Sequence, residues 1–241
     1  SFGHQGAELL TITIGGTNDI PTIDASSNPL APIAEIPADS SAQDIPPTTG
    51  TITFTDQDLG DSISFSVLGN ANALYNGGAV PQDPAVDISN LIDAAAIAFE
   101  SPLTSDGGQQ IIDWTFNPQA ADLDWLKDGD TLTLTWTAQI NDGHGNEGAE
   151  LLTITIGGTN DIPTISSDTA NIAETNTPLT DSGTLNVGDL DTSDTVSAQI
   201  TGVTHVGVNE LTNPELLQMF SIVPIDPANV IDGANNTGTL N

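Results

Sequence analysis

Cysteine is absent from this chain, so no disulfide staples it and no thiolate is present to hold a metal. Basic side chains are almost absent as well. Lys127 is the only Lys or Arg against 33 Asp and Glu, leaving a formal charge of −32. Nucleic-acid binding needs a basic footprint and is excluded, and anionic membrane surfaces are disfavoured for the same reason. No apolar run is long enough to span a bilayer, so direct membrane insertion is not expected. There is also no nucleophile–base motif, phosphate loop or cofactor fingerprint, and enzymatic activity is not expected.

Acidic chains of low hydrophobicity stay disordered, but 37% of this one is hydrophobic and the apolar residues alternate regularly. The composition therefore points to a folded protein whose self-repulsion is relieved by bound or condensed counterions. A folded extracellular protein without disulfides needs another staple, and metal ions are the obvious one.

What is present is a repeat. The eighteen residues Gly6–Ile23, GAELLTITIGGTNDIPTI, recur without a change at Gly148–Ile165, 142 positions further on. The order is an alternating run, Gly-Gly, then Thr-Asn-Asp-Ile-Pro. Leu152, Ile154 and Ile156 fall on one face and Thr153 and Thr155 on the other, as in a half-buried strand. Pro163 cannot donate to a ladder, so pairing should stop near it and one module should end there. The expected organisation is the tail of a preceding repeat over 1–23, a complete repeat over 24–165 and an incomplete following repeat over 166–241.

Within the complete repeat, short alternating segments separated by turn residues predict strands at Thr51–Phe54, Ile63–Val67, Ile111–Phe116, Thr131–Ile140 and Leu151–Ile156. In the fourth, Leu132, Leu134, Trp136, Ala138 and Ile140 should face inward. Asn28–Pro47 is expected to form an edge strand and Asn70–Asp87 a long surface loop. A helical turn is expected from Pro118 through Leu126 with Asn117 as its cap, and another from Asn213-Pro214. The expected fold class is all-β: tandem antiparallel β-sandwich modules. The incomplete last repeat lacks inner strands and is expected to be partly ordered or to pair with another chain's edge.

A second, looser match aligns Thr49–Val67 with Ser182–Ile200 without gaps. Strand, Asp-x-Asp-x-x-Asp, strand survives in both, so Asp56, Asp58 and Asp61 correspond to Asp189, Asp191 and Asp194. On these residues, with Trp114-Thr115-Phe116, Leu126-x-x-Gly129, the Asp142-Gly143 turn and the closing Gly-Thr-Asn-Asp-x-Pro, the chain resembles the VCBS repeats of giant bacterial RTX adhesins. That resemblance implies Ig-like or cadherin-like modules acting as an extender on the bacterial surface. It implies secretion, by a type I route, and a part in attachment or biofilm formation.

The three-aspartate turn is the sharpest chemical feature. Calcium takes six to eight hard oxygens, and Asp-x-Asp can turn two carboxylates toward one ion. The loop is not an EF-hand, since Gly60 stands at its fifth position and Val67 at its twelfth. The competing reading is a hairpin turn whose aspartates cap their own amides. Asn18-Asp19 and Asn160-Asp161 stand before Pro and resemble the cadherin linker, where such residues bind calcium shared between domains. One Ca2+ junction is expected to join Asp19 to Asp56 and Asp58, and a second to join Asp161 to Asp189 and Asp191, with Asn18 and Asn160 contributing oxygens, Asp142 approaching the second, and Asp61 and Asp194 as the third carboxylates of the two turns. Glu35 and Glu174, both in Ile-Ala-Glu, resemble the acidic residue of a cadherin first strand. Gly16 and Gly158 stand where that linker carries a further Asp.

The expected partners are neighbouring repeats of the same chain, with any glycan or protein ligand on other domains of the full-length protein. His4, His144 and His205 are isolated, and Trp114, Trp125 and Trp136 are expected in the core. The alternative is a carbohydrate- or protein-binding module, of an adhesin or an extracellular hydrolase, using an exposed Trp125 and the Asn70–Asp87 loop.

Overall fold

A computed structural model describes residues 8–26, 32–37, 43–82, 86–145, 147–173, 175–191, 194–206, 212–222, 231–232 and 237–240. The first unit runs in chain order through β1 (Thr22–Ser26), β2 (Ile33–Ala34), β3 (Thr48–Thr55), β4 (Ser62–Val67) and β5 (Asn72–Tyr75). After a helical turn α1 (Ser89–Ile92) come β6 (Ile97–Phe99), β7 (Leu103–Thr104), β8 (Gln109–Phe116), β9 (Thr131–Asn141) and β10 (Glu147–Gly157). One sheet has the order β1-β3-β8-β6 and the other β2-β10-β9-β4-β7, with β5 also on β9. All pairs are antiparallel except β2 with β10, where Ile33 faces Ile156. This is an Ig-like β-sandwich.

The alternation in the sequence supplies its core. Leu132, Leu134, Trp136, Ala138 and Ile140 of β9 are buried, as are Ile52 and Phe54 of β3 and Ile112, Trp114 and Phe116 of β8. Burying each such side chain contributes about 1.5–3 kcal/mol, before the entropy of ordering the chain is charged against it. Trp114 lies over Gly50, its partner in register, and a Cβ there would overlap the indole.

Two local expectations fail. Asn72–Tyr75 is a strand rather than part of a loop: Tyr75 reaches the Asp130 carboxylate at 2.7 Å and packs against Trp125 with ring centroids 5.6 Å apart. No helix forms over Pro118–Leu126. Asn117 gives its amide to the Ala96 carbonyl, Ala120 has φ 52°, and Leu123 donates to the Asp44 carboxylate, so a helical ladder does not start and the Leu126 amide closes a single turn on the Leu123 carbonyl. The second expected turn does form, as α2 (Asn213–Leu217), with Thr212 and Glu215 making a capping box.

The following unit contains β11 (Thr164–Ile165), β12 (Leu185–Gly188), β13 (Thr195–Val196), β14 (Ile231–Asp232) and β15 (Thr237–Leu240). They form a β11-β12-β15 sheet and a β13-β14 pair, over a small cluster centred on Val187 and Val196. Thr22 and Ile23 pair with β3, and their counterparts Thr164 and Ile165 pair with β12.

Only the second copy of the repeated eighteen residues has a partner strand among the described residues. In β10, Leu152, Ile154 and Ile156 are fully buried against β9. Their counterparts Leu10, Ile12 and Ile14 lie in no strand, and Ile12 is 74% exposed. Pattern alone makes a strand possible; a partner sheet makes it form. Truncating Ile154 to Ala should cost about 2–5 kcal/mol of sandwich stability. The same change at Ile12 should stay within about 0.5 kcal/mol. Urea unfolding followed by tryptophan fluorescence compares the two directly.

Candidate metal-binding junctions

The linker residues Asn18 and Asp19 arrive at the pole of the sandwich formed by the β3–β4 turn and the β9–β10 turn. The Asp19 amide donates to Asp58 Oδ2 at 2.6 Å, and Asn18 Nδ2 donates to its neighbour's carbonyl at 3.1 Å. The Asp58 amide donates to Asp56 Oδ1 at 3.3 Å. At the other pole the same three bonds recur. The Asp161 amide meets Asp191 Oδ2 at 2.7 Å, Asn160 Nδ2 meets the Asp161 carbonyl at 2.7 Å, and the Asp191 amide meets Asp189 Oδ1 at 3.2 Å. Both pairs of Asp-x-Asp carboxylates are thus brought to the linker ahead of them, as the sequence match implies.

Asp61 and Asp194 occupy the corresponding places beyond. Asp194 donates its amide to the Asp191 carbonyl, and its carboxylate lies 3.6 Å from the Lys127 ammonium, across the junction. Asp61 lies 3.5 Å from His144 Nε2, whose side chain is 56% exposed. Asp142 sits at the first junction and not the second: Asn18 Nδ2 donates to its Oδ2 at 2.8 Å. The reason is hairpin length. β9 is 11 residues long, roughly 34 Å of rise, so the β9–β10 turn lies at the opposite pole from the end of β10. Glu35 belongs to the second junction, accepting the Thr159 amide at 3.2 Å through Oε2. Glu174 lies outside the described residues, as does His4.

The sequence reading passed over Asp44, Asp122 and Asp124. One carboxylate oxygen of each lies within 4.8 Å of the others. Their signal was present, because Asp122-Leu-Asp124 repeats the Asp-x-Asp spacing. The spacing alone misleads, however: Asp128-Gly-Asp130 shares it, and Asp130 is taken up by Tyr75 and Asn76. Gly158 explains why the linker has no further Asp at this point. The chain there runs against the Leu126 and Lys127 carbonyls, and a Cβ would overlap them.

Burial and mutual repulsion dominate the electrostatics of the second junction. Glu35 is 2% exposed, and desolvation together with Asp161, Asp191 and Asp44 pushes its carboxyl up to about 8. Desolvation, Asp122 and Asp44 push Asp124 up to about 7, and desolvation pushes Asp191 up to about 6. Asp189 is raised by the same desolvation. At the first junction Asp142 is also desolvated, yet the Asn18 and His144 hydrogen bonds outweigh this and hold it below the ordinary range. Glu35 Oε1, Asp191 Oδ1 and Asp56 Oδ2 are buried without a hydrogen-bond donor among the described residues. A buried carboxylate oxygen without a donor needs a proton or a cation. Trp125 is 4% exposed, so its ring is in the core and offers no surface for stacking a sugar.

No family model matches the chain, and no curated protein matches it. Among solved structures it is similar to the ASH/PapD-like domain 7 of human CEP192, at 10% identity and TM-score 0.32 over 65% of this chain and 97% of that one. It is also similar to the CooA pilin subunit of enterotoxigenic Escherichia coli, at 7% identity and TM-score 0.34 over 58% and 99%. Overlap this low carries no argument; the Ig-like fold rests on the strand order itself. Among the described residues no helix is long and apolar enough to cross a membrane.

The raised carboxyls fix a pH response for the metal-free chain. Glu35 and Asp191 hold protons in the folded state that they release when unfolded, where they return toward the ordinary 4.5 and 3.8. Stability therefore falls as pH rises from about 4 to about 8. In chelator the melting temperature should be lower at pH 8 than at pH 5.5, and calorimetry at the two values checks this.

Proposed function

We propose that the chain is part of an extender of VCBS type, from a secreted bacterial surface adhesin, in which Ca2+ stiffens the junctions between repeats. The supporting observation is that the Asp-x-Asp carboxylates of one unit meet the Asn-Asp linker ahead of them at two separate junctions, leaving Asp56 Oδ2 and Asp191 Oδ1 buried without donors. The donor set consists of carboxylate and carbonyl oxygens, which suits a hard divalent cation and is poorly suited to soft metals. Asn18, Asp19, Asp56, Asp58 and Asp61 would hold it at the first junction. Asn160, Asp161, Asp189, Asp191, Asp194 and Glu35 would do so at the second. Bound there, a cation supplies positive charge and ligand bonds to carboxylates that otherwise repel.

The residues of the chain do the rest. Asp58 and Asp191 dock the linker amides, so the units are already aligned when the carboxylates converge. Lys127 adds a charge contact from the sandwich to Asp194. Pro21 and Pro163 hold the residues before them extended, which keeps the linker from folding back. Successive repeats are then one another's partners, and the array acts as a non-catalytic strut that holds adhesive domains away from the cell. The resemblance to RTX adhesin repeats rests on the sequence motifs, and the extracellular setting follows from that resemblance and from the calcium such a medium contains. The binding-module alternative loses its main support with Trp125 in the core.

Small-angle scattering of this chain in calcium and in chelator tests the reading. The expected result is a narrower distribution of inter-unit distances in calcium, abolished by Asp161→Asn with Asp191→Asn. Identical scattering in calcium and in chelator would overturn it.

A further inference from the structure

Lys127 is the only Lys or Arg in a chain with 33 Asp and Glu, and the fold places it at the boundary between the two units. Its root is fixed. The Asp130 amide donates to the Lys127 carbonyl at 2.9 Å, closing the turn that leads into β9, and the linker's Gly158 amide donates to the Asp130 carbonyl at 3.1 Å. The linker runs directly against the Leu126 and Lys127 carbonyls at Gly158, with no space between for a side chain. From this pinned turn the Lys127 side chain crosses to the following unit, where its ammonium lies 3.6 Å from Asp194 Oδ1. Asp194 is itself held in place, since its amide donates to the Asp191 carbonyl at 3.0 Å.

Among the described residues the other ion pair, His144 Nε2 with Asp61 at 3.5 Å, stays within the sandwich. The pair of Lys127 with Asp194 joins the unit behind to the unit ahead. A partly exposed ion pair contributes little where the surroundings are neutral. Here they are strongly negative. Burial raises both Asp189 and Asp191, and the charge of Asp194 adds to the rise in each. The ammonium therefore sits in the same field that favours a metal ion, on a carboxylate that the neighbouring acids feel. Lysine suits such a place as an exchangeable charge, being a compact ammonium on a flexible stem without the two-pronged grip of arginine. An ammonium and a metal ion brought to one carboxylate also repel each other.

We propose that Lys127 is the built-in counter-ion of the second junction: it competes with the divalent cation for Asp194, and it ties the two units together when no cation is bound. The inference rests on the junction reading above and adds to it a device that sets how tightly the junction takes calcium. Lys127 is a positioning residue in this scheme, acting on the site through Asp194. With the ammonium in place, an arriving cation has to displace it or share a carboxylate with it, so binding is weaker than the acidic groups alone would make it. Where calcium is scarce the ammonium stays on Asp194, and the docking bond from the Asp161 amide to Asp191 has one more contact beside it. The metal-free units are then held near the geometry that the cation needs.

Calcium binding to the whole chain is measured by titration calorimetry in the parent, in Lys127→Met and in Lys127→Arg, with circular dichroism to check that each variant is folded. Methionine keeps the stem and removes the charge. Lys127→Met should tighten calcium binding about three- to tenfold, the size expected for one partly exposed unit charge taken away from beside the site. Lys127→Arg keeps the charge and should stay within about twofold of the parent. The gain from Lys127→Met should shrink in an Asp194→Asn background, where the ammonium has no carboxylate to rest on. In chelator, small-angle scattering of Lys127→Met should show a broader distribution of inter-unit distances than the parent. A lysine that merely packs against the next unit would broaden the scattering without tightening calcium. Affinity unchanged or weakened in Lys127→Met, with the parent binding calcium, would overturn the competition and leave the junction reading standing. Unchanged scattering in chelator would overturn the tie between units. Absence of calcium binding in both the parent and Lys127→Met would overturn the junction reading and this inference together.

Discussion

A backbone amide donated across the boundary to a carboxylate of the next unit sets the geometry at each end of the sandwich. Asp19 gives its amide to Asp58, and Asp161 gives its amide to Asp191. A hydrogen bond to a charged acceptor is worth about 1.5–3 kcal/mol net, more than the neutral kind. Everything else at the junction follows from where that bond puts the chain. The linker is held extended by the Pro two residues on, and the Asp-x-Asp turn is held by its own internal amide bond. The carboxylates are then close whether or not a counter-charge is present. Their repulsion is a cost the sandwich core carries, which is why a well-packed unit and an acidic pole occur together.

That local bond is independent of the strand that precedes it. Residues 18–19 repeat the docking bonds of 160–161, with Asn18 adding one to Asp142, while Leu10, Ile12 and Ile14 lie outside any strand and Leu152, Ile154 and Ile156 are buried. The linker's shape is written in Asn-Asp-Ile-Pro and in the turn it meets. The strand's shape depends on β9 lying alongside. One sequence of eighteen residues thus contains two kinds of information, and only the first can be read without knowing the neighbours.

The same division explains what the sequence disclosed. Strands with five alternating apolar residues, such as β9, were legible because burial demands that period. The three-aspartate turns were legible because two copies could be compared. β5 was missed because four residues are too few to show a period, and its order comes from Tyr75 reaching Trp125 and Asp130, contacts made across fifty or more positions. The Pro118–Leu126 helix failed because Asp44, about eighty residues earlier, takes an amide that a helix would need. Asp142 was assigned to the wrong pole because sequence order places it near Asn160, whereas an antiparallel hairpin returns the chain to the opposite end. Each miss is a long-range contact overriding a sound local rule.

The two junctions also differ in a way that separates the contributions of the units that meet there. At the first, the described carboxylates come from the linker and from the unit that follows it, and the one resolved shift, at Asp142, is downward. At the second, Glu35 and Asp124 of the sandwich face Asp189 and Asp191 of the next unit, and all four are pushed upward. The docking bonds are the same in both places, so they cannot be the cause. Among the described residues, what changes is that carboxylates of the unit behind, Glu35 and Asp124, meet those of the unit ahead only at the second junction. The hydrogen bonds therefore make the turn, and it is the second set of carboxylates that makes the turn into a place requiring positive charge. At the second junction the sandwich brings Glu35, Asp44, Asp122 and Asp124 as well, charges that the chain's one lysine is too few to balance.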